Sequence, residues 1–320
     1  IYVGVLLCLH LVSNSGNQFG SRSIPEYLGI RYQSPWIRIL VSIFSLSLFF
    51  YLAGQLVSGI VMFEIMLGVP KMAALIITSV VLLIYVVLGG AHADILTDGV
   101  QGFIMVGVGV LVAVLFCLGY GIEGGFDGMI SALGSQDENL VGWLNVTDVL
   151  YHSWWAVFAV FLAHVPLGML PHIGNKLWAL KEPTQRMQFI RLAFVFALIL
   201  AMLGFGGIMA RVILGEGIDS NQALALLFID LFPSWFAALL GVGILAAVMS
   251  TADGLVVSSS QIVANDLYRL SFVPRYRKDL SEEEIERRSL NISRISTVVI
   301  MILCTLLAWQ TLDMNVTILV

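Results

Sequence analysis

Charged residues are scarce in this sequence of 320 residues: they make up 12% of it, whereas hydrophobic residues make up 59%. Soluble domains carry about a quarter charged residues, so this composition argues against a soluble fold and predicts a polytopic membrane protein. The few basic residues form no stripe with interleaved aromatics, which argues against nucleic acid as a partner. We therefore expect a multi-pass protein of the plasma or inner cell membrane, surrounded by the lipid bilayer.

Cysteine and the motifs of enzymes are also rare or absent. The three cysteines, Cys8, Cys117 and Cys304, all lie in apolar stretches, where an odd number argues against a disulfide framework. The sequence contains no H-E-x-x-H, no G-x-S-x-G and no cluster of Cys and His, so we expect neither an enzyme nor an organic cofactor. It begins without Met and ends inside an apolar run, and we expect both ends to be cuts through a longer protein.

Long apolar stretches without charge dominate what remains. About 20 residues of helix are needed to cross roughly 30 Å of hydrocarbon, and eight stretches fit this length or are cut short by the end of the chain. The seventh is expected to continue as a helix beyond Asp253. The predicted spans cover residues 1–12, 39–63, 72–91, 99–122, 149–175, 192–210, 231–265 and 295–312.

The distribution of lysine and arginine gives the orientation of these spans. The loops after the first, third, fifth and seventh spans hold most of these bases, whereas the other loops hold only Lys71 and Arg211. Cytoplasmic loops are enriched in Lys and Arg, so the first set is predicted to be cytoplasmic. The acidic loop of Glu123–Asp148 is predicted to face outside.

The seventh span carries a polar stripe at membrane depth. Ala247, Ser250, Thr251, Gly254 and Ser258 share one helical face by their spacing. Adjacent hydroxyls with a nearby carbonyl offer the neutral oxygens that suit Na⁺. A stripe of small residues is equally typical of close helix–helix packing, so the residues alone leave both interpretations open.

The fifth span contains residues that break helices. Pro166, Gly168, Pro171 and Gly174 interrupt it near its cytoplasmic half. Transporters use such breaks to present backbone groups to substrate, although a simple proline kink also fits the pattern. His172 and Lys176 follow the break, where they would attract an anion on the inner side.

Further polar and aromatic residues lie near these two spans. Asp94 and Asp98 flank a cytoplasmic turn into the fourth span. Trp155 and Phe158 either line a cavity or belong to an interfacial aromatic belt. His164 lies in mid-span and is the better pocket candidate, because an ionisable residue at membrane depth indicates function.

Four stretches, in order along the chain, resemble the sodium:solute symporter family. They are SIPEYLGIRY (Ser23–Tyr32), GGAHADILTDGVQG (Gly89–Gly102), LPHIGNKLWALKE (Leu170–Glu182) and AAVMSTADGLVVSSSQIVANDLYR (Ala246–Arg269). The resemblance covers essentially the whole chain, and the last stretch is the most specific. The stretch that begins at Leu170 looks most like the branch that carries pantothenate, acetate and similar carboxylates.

The resemblance implies an all-α, five-plus-five inverted-repeat (leucine-transporter-like) fold, of which this chain would supply core helices two to nine in one incomplete transmembrane transporter domain over residues 1–320. It implies a sodium site at the Ala247 carbonyl and the hydroxyls of Ser250 and Thr251, with Asp98 on the route of the ion to the cytoplasm. Na⁺ would be the coupling ion, and a small organic solute would be the other partner. The candidate substrate contacts are Tyr51, Gln55, Trp155, Phe158, His164, Pro166 and Gly168.

These features predict a sodium-coupled symporter that imports a small carboxylate by alternating access. An amino acid or a sugar is the alternative solute. A transporter-like membrane sensor is the alternative from another functional class, and a long soluble domain beyond Val320 would distinguish it. An inert membrane scaffold would show no sodium-dependent stabilisation by any solute.

Overall fold

The computed structural model describes residues 3–7, 9, 18–178, 180 and 182–312, and within these residues all regular structure is helical. Residues 3–7 form a helical stretch ahead of the first numbered helix. The numbered helices are α1 (Ile24–Arg31), α2 (Pro35–Ser45), α3 (Leu48–Leu67), α4 (Lys71–Gly90), α5 (Asp94–Leu118), α6 (Gly125–Gln136), α7 (Trp154–His164), α8 (Pro171–Trp178), α9 (Pro183–Ala201), α10 (Gly204–Leu214), α11 (Ala223–Leu231), α12 (Ser234–Gln261), α13 (Val273–Tyr276) and α14 (Glu282–Thr311).

Six helical segments of the described chain are long and apolar enough to cross a membrane. They coincide with six of the eight predicted spans, but several extend further; α9, for example, begins at Pro183 and α14 at Glu282. The predicted spans are shorter because each was ended at the first charged residue. Lys and Arg can nevertheless continue a helix, because their long side chains carry the charged groups towards water. The predicted first span, 1–12, lies largely outside the described residues. The six segments are Pro35–Leu67, Lys71–Gly90, Asp94–Leu118, Thr184–Ile213, Ser234–Tyr276 and Glu282–Thr311.

A sharp backbone change at Gly90 separates α4 from α5. Its φ of 55° and ψ of −149° lie in a region that glycine reaches readily and other residues rarely adopt. The chain therefore reverses direction over a few residues. Asp98, in the first turns of α5, accepts a hydrogen bond from Ser250 of α12, and the neighbouring Thr97 donates one to Asp253 of the same helix.

α12 lies at the centre of the bundle and packs against α3, α4, α5 and α14. Its Leu255 and Val256 are fully buried in a cluster with Leu52 and Leu56 of α3. The polar residues Asp253 and Ser258–Ser260 on the same helix are buried as well. The half of α12 that is predicted to be cytoplasmic is thus surrounded by protein, where polar groups can find partners.

Polar contacts fix the C-terminal end of α12 to the segment around α1 and α2. α12 continues into a π-helix over Ile262–Phe272. Within it, the buried Asp266 carboxylate accepts a hydrogen bond of 2.6 Å from the Ser23 hydroxyl, just before α1. Arg38 of α2 donates to the carbonyl of Leu270 and, at 3.2 Å, to the hydroxyl of Ser271. These bonds hold α1 and α2 against the extension of α12.

The fifth predicted span is interrupted at the expected position. α7 is followed by a 3₁₀ turn over Pro166–Met169, and α8 begins at Pro171. The continuous span predicted over 149–175 is therefore replaced by a shorter apolar segment, Trp154–Met169, because the prolines remove helical hydrogen bonds. The helical stretch over 3–7 packs on this turn: a Cβ atom on Gly4 would lie 1.8 Å from the carbonyl oxygen of Val165, so only glycine fits.

Candidate functional site

The hydroxyls of Ser250 and Thr251 lie side by side on the half-buried face of α12. Thr251 donates its hydrogen to the carbonyl oxygen of Ala247 at 3.3 Å, and Ser250 donates its own to Oδ1 of Asp98 on α5 at 2.5 Å. Each hydroxyl has one hydrogen and two lone pairs. With the hydrogens engaged, the lone pairs of both oxygens remain available to a cation. The Thr251 bond is a common local contact, whereas the Ser250 bond joins two helices.

Three carboxylates surround the inner side of this hydroxyl pair. Asp94, Asp98 and Asp253 each place one carboxylate oxygen within 4.8 Å of the other two. Asp253 is fully buried, accepts a hydrogen bond of 2.8 Å from the amide of Gly254 and receives the Thr97 hydroxyl at 3.3 Å. Like charges at this separation repel strongly in a partly buried site, so the cluster requires a positive partner.

Lys176 of α8 supplies that positive charge. Its Nζ lies 3.3 Å from Oδ2 of Asp94 and forms a closer ion pair with Oδ2 of Asp98. The sequence suggested that this lysine attracts an anionic solute, but its ammonium is engaged by two carboxylates. The neighbouring His172 has a buried Nδ1 without a hydrogen-bond partner among the described residues, as has Oδ1 of Asp94.

A cavity of about 800 Å³ opens beside the ion pair. All four segments that the sequence predicts to be cytoplasmic contribute to its lining. Asp94 and Lys176 line this cavity, whereas Ser250 and Thr251 are not among the lining residues. The cavity thus leads from the predicted cytoplasmic side to Asp94, one of the three clustered carboxylates. Its other lining residues include Arg22, Ser23, His172, Ser258, Asp266 and Arg294.

The candidate substrate residues of the interrupted span lie mostly on an exposed surface. Trp155 and Phe158 are 74% and 47% exposed, with ring centroids 5.8 Å apart. The exposed His164 ring places Nδ1 2.7 Å from the carbonyl oxygen of Val160 on its own helix. Pro166 is exposed, whereas Gly168 is buried. The structure therefore brings Gly168 into the protein interior but leaves the two aromatic rings and His164 outside it.

The candidate substrate residues of α3 are better enclosed. Gln55 is 2% exposed, and its Nε2 has no hydrogen-bond partner within the described part of the chain. Tyr51, one turn away, is half-buried against the apolar cluster that includes Leu52 and Leu56. The Gln55 side chain also lies within reach of the Tyr51 hydroxyl one turn away, so burial, rather than the lack of a polar neighbour, distinguishes Gln55 among the candidates.

Sequence reasoning did not anticipate that Lys176 joins the candidate ion site. The ion pair connects residues separated by 78 positions along the chain. Neither helical periodicity nor local spacing in a sequence can predict a contact between residues so far apart. The only available signal was the number of acids, Asp94, Asp98 and Asp253, near cytoplasmic helix ends, because buried carboxylates need a positive partner.

Comparison with known proteins agrees with the family resemblance seen in the sequence. A model of the sodium:solute symporter family matches residues 1–320. A sodium/pantothenate symporter of Haemophilus influenzae is 25% identical over 295 residues, which cover 91% of this chain and 58% of the relative. The corresponding symporter of Escherichia coli is 26% identical, with 93% and 60% covered. A high-affinity proline transporter of Bacillus subtilis is also 26% identical, with 91% and 60% covered.

A solved structure shares the fold. It is described as a substrate-bound, outward-open state of a Na⁺-coupled sialic acid symporter, and it superposes with a TM-score of 0.78 at 18% sequence identity. The match covers 98% of this chain and 68% of that one, and it confirms the expected leucine-transporter-like fold. The chain spans about 60% of the length of the curated relatives described above.

Proposed function

The chain belongs to the sodium:solute symporter family, and from this premise we propose that it forms a transmembrane transporter domain that couples the entry of Na⁺ to import of a small organic solute. The relatives are transporters rather than enzymes, and they support Na⁺ as the coupling ion. The observation that carries the proposal is the adjacent hydroxyls of Ser250 and Thr251, of which Ser250 is bonded to Asp98 on a second helix and Thr251 to the Ala247 carbonyl.

The proposed sodium site consists of the Ala247 carbonyl and the hydroxyl oxygens of Ser250 and Thr251. These are neutral oxygens, which suit a monovalent cation that has to leave again on every cycle. Asp98 orients the Ser250 hydroxyl by accepting its hydrogen, so that the lone pairs point away from the carboxylate. The cavity beside Asp94 and Lys176 supports a route from this site to the cytoplasm.

The proposed solute is a carboxylate, bound near the membrane centre between α3 and the interrupted segment around Gly168. The buried amide of Gln55 and the buried turn at Gly168 support this location. Two sodium/pantothenate symporters among the relatives, together with the stretch that begins at Leu170, favour a carboxylate. The proline transporter favours an amino acid as the second candidate.

The energy available from one ion depends on the charge of the solute. Moving one net charge through about 100 mV releases roughly 2.3 kcal/mol. A tenfold sodium gradient adds about 1.4 kcal/mol. Together these support a few hundred-fold accumulation of a neutral or zwitterionic solute per Na⁺. One Na⁺ that moves with a monovalent carboxylate carries no net charge, so the tenfold sodium gradient alone then supports about tenfold accumulation.

Uptake into proteoliposomes tests the proposal. We would reconstitute the protein at full length and compare labelled pantothenate, acetate, proline and glucose with an inward sodium gradient and with an equal potassium gradient. Accumulation of a carboxylate in sodium alone is the expected result. Accumulation of proline or glucose instead would change the solute but keep the mechanism, whereas equal uptake in potassium would contradict sodium coupling.

A further inference from the structure

Lys176 lies between the interrupted segment, which is proposed to contact the solute, and the hydroxyl pair on α12, which is proposed to bind sodium. Its helix, α8, begins directly after the 3₁₀ turn of Pro166–Met169. Its ammonium pairs with Oδ2 of Asp98, while Oδ1 of the same carboxylate accepts the Ser250 hydroxyl at 2.5 Å. A single carboxylate therefore links the interrupted segment to the hydroxyl pair on α12.

The surface of α12 is shaped to admit this side chain. Gly254 lies one helical turn after Ser250, and a Cβ atom there would lie 3.5 Å from Nζ of Lys176 and 3.7 Å from Oδ1 of Asp94. The ammonium is thus packed against the backbone of α12 close to the proposed sodium ligands. The side chain of Lys176 is 33% exposed and that of Asp94 only 5%, so water screens this pair incompletely.

We propose that Lys176 is a tethered cation that holds Asp98 when sodium is absent, and that it thereby couples the interrupted segment to the sodium site. This inference rests on the proposed function. Lys176 acts on the proposed sodium ligands through Asp98 rather than by direct contact, so it is a positioning residue.

The charges determine the direction of the coupling. An ammonium and a sodium ion near the same carboxylate repel each other, and several ångströms apart in a partly buried site this changes affinity by about tenfold. Sodium binding therefore weakens the hold of Lys176 on Asp98 and frees α8 to move. By linkage, movement of α8 that returns the ammonium to Asp98 weakens sodium binding by the same factor, which favours release of the ion into the cavity.

Variants of Lys176 and Asp94 should shift the half-saturating sodium concentration in opposite directions. Its carboxylate competes with Asp98 for the ammonium, at 3.3 Å from Nζ. Lys176→Gln removes the competing cation, and the half-saturating sodium concentration should fall by about tenfold. Asp94→Asn leaves the ammonium wholly to Asp98, and the same concentration should rise several-fold. Damage to the structure would instead raise it in both variants.

The experiment measures half-saturation by sodium in two ways: as sodium-dependent uptake by proteoliposomes and as sodium-dependent thermal stabilisation of the purified full-length protein without solute. Lys176→Arg retains the charge and should remain near the wild-type value. Lys71→Gln is the matched control, because Lys71 is half exposed and pairs only distantly, at 3.8 Å, with Glu64. It should leave half-saturation unchanged.

Opposite shifts in Lys176→Gln and Asp94→Asn, with Lys176→Arg near wild type, would support the inference. Unchanged values, or an increase in both variants, would overturn it. If Lys176→Gln does not fold, Lys176→Met takes its place, because it also removes the ammonium: a lowered half-saturating concentration supports the inference, and an unchanged or raised one overturns it. If the wild-type protein itself shows neither sodium-driven uptake nor sodium-dependent stabilisation, the proposed function fails instead.

Discussion

At the end of the bundle that is predicted to face outside, Phe116 stacks on Phe205 with ring centroids 4.2 Å apart, whereas at the opposite end Lys176 bridges Asp94 and Asp98. The contact described at the predicted outer end is apolar. The inner end contains a cavity of about 800 Å³ lined by charged side chains. The difference suggests that the outer contacts contribute mainly stability, while the inner contacts are arranged around a path for an ion.

The comparison is reinforced by how each end is connected. Around the outer end, Phe228 is fully buried with Val108, Val112 and Leu240. At the inner end, Ser23 and Arg38 reach the extension of α12 through polar bonds. Polar bonds of this kind can be exchanged for bonds to water when a helix moves, whereas separating packed rings exposes apolar surface and is costly. The contacts at the inner end are therefore the less costly ones to separate when a helix moves.

Truncation of an outer aromatic residue should have the largest effect on stability. Phe228→Ala removes a fully buried ring and leaves a cavity, so we expect a loss of about 3 kcal/mol in the free energy of unfolding. Thermal unfolding in detergent measures it. Ile229→Ala is the matched control, because its neighbouring side chain on α11 is 44% exposed. Equal losses in the two variants would break the distinction between packed and exposed outer residues.

Removal of an inner polar bond should have an intermediate effect. Ser23→Ala deprives the buried Asp266 of its 2.6 Å hydrogen bond and also removes the cap of α1, so we expect a loss of about 2 kcal/mol. Ser34→Ala removes only a cap, at the start of α2, and should cost about 1 kcal/mol. Thermal unfolding of both variants compares them. A Ser34→Ala loss as large as that of Ser23→Ala would show that the Asp266 bond contributes nothing.

Removal of an outer charge should have the smallest effect. Lys71→Gln breaks a pair with Glu64 at 3.8 Å in which both side chains are more than 40% exposed. Exposed ion pairs of this kind contribute little, so the free energy of unfolding should change by less than about 0.5 kcal/mol. Thermal unfolding at low and high salt measures it. A salt-sensitive loss above about 1 kcal/mol would show that charge also stabilises the outer end.

Much of the fold and the position of the site followed from local sequence patterns. The spacing of Ala247, Ser250 and Thr251 predicted one face of a helix, and Pro166 and Pro171 predicted the interruption of the fifth span. Both are encoded within a few residues, because helical periodicity and proline sterics act locally.

Other features depend on contacts that no local pattern contains. The pairing of Lys176 with Asp98 joins separate helices, and it depends on how α8 folds back after its break. Trp155 and Phe158 illustrate the same limit from the other side. Their spacing was compatible with a pocket or with an exposed surface, and in the structure their rings are exposed. The roles of the proposed ligands of sodium and solute remain predictions.

The sodium dependence of uptake by a Ser250→Ala/Thr251→Ala variant tests the central claim most directly. The half-saturating sodium concentration should rise by about tenfold or more, because two of the proposed ligand oxygens are removed. Thr311→Ala is the control, since its hydroxyl bonds back to the carbonyls of Leu307 and Ala308 at 3.0 and 3.1 Å on its own helix, outside the cavity, and should not affect sodium binding. An unchanged sodium dependence in the double variant would contradict the account.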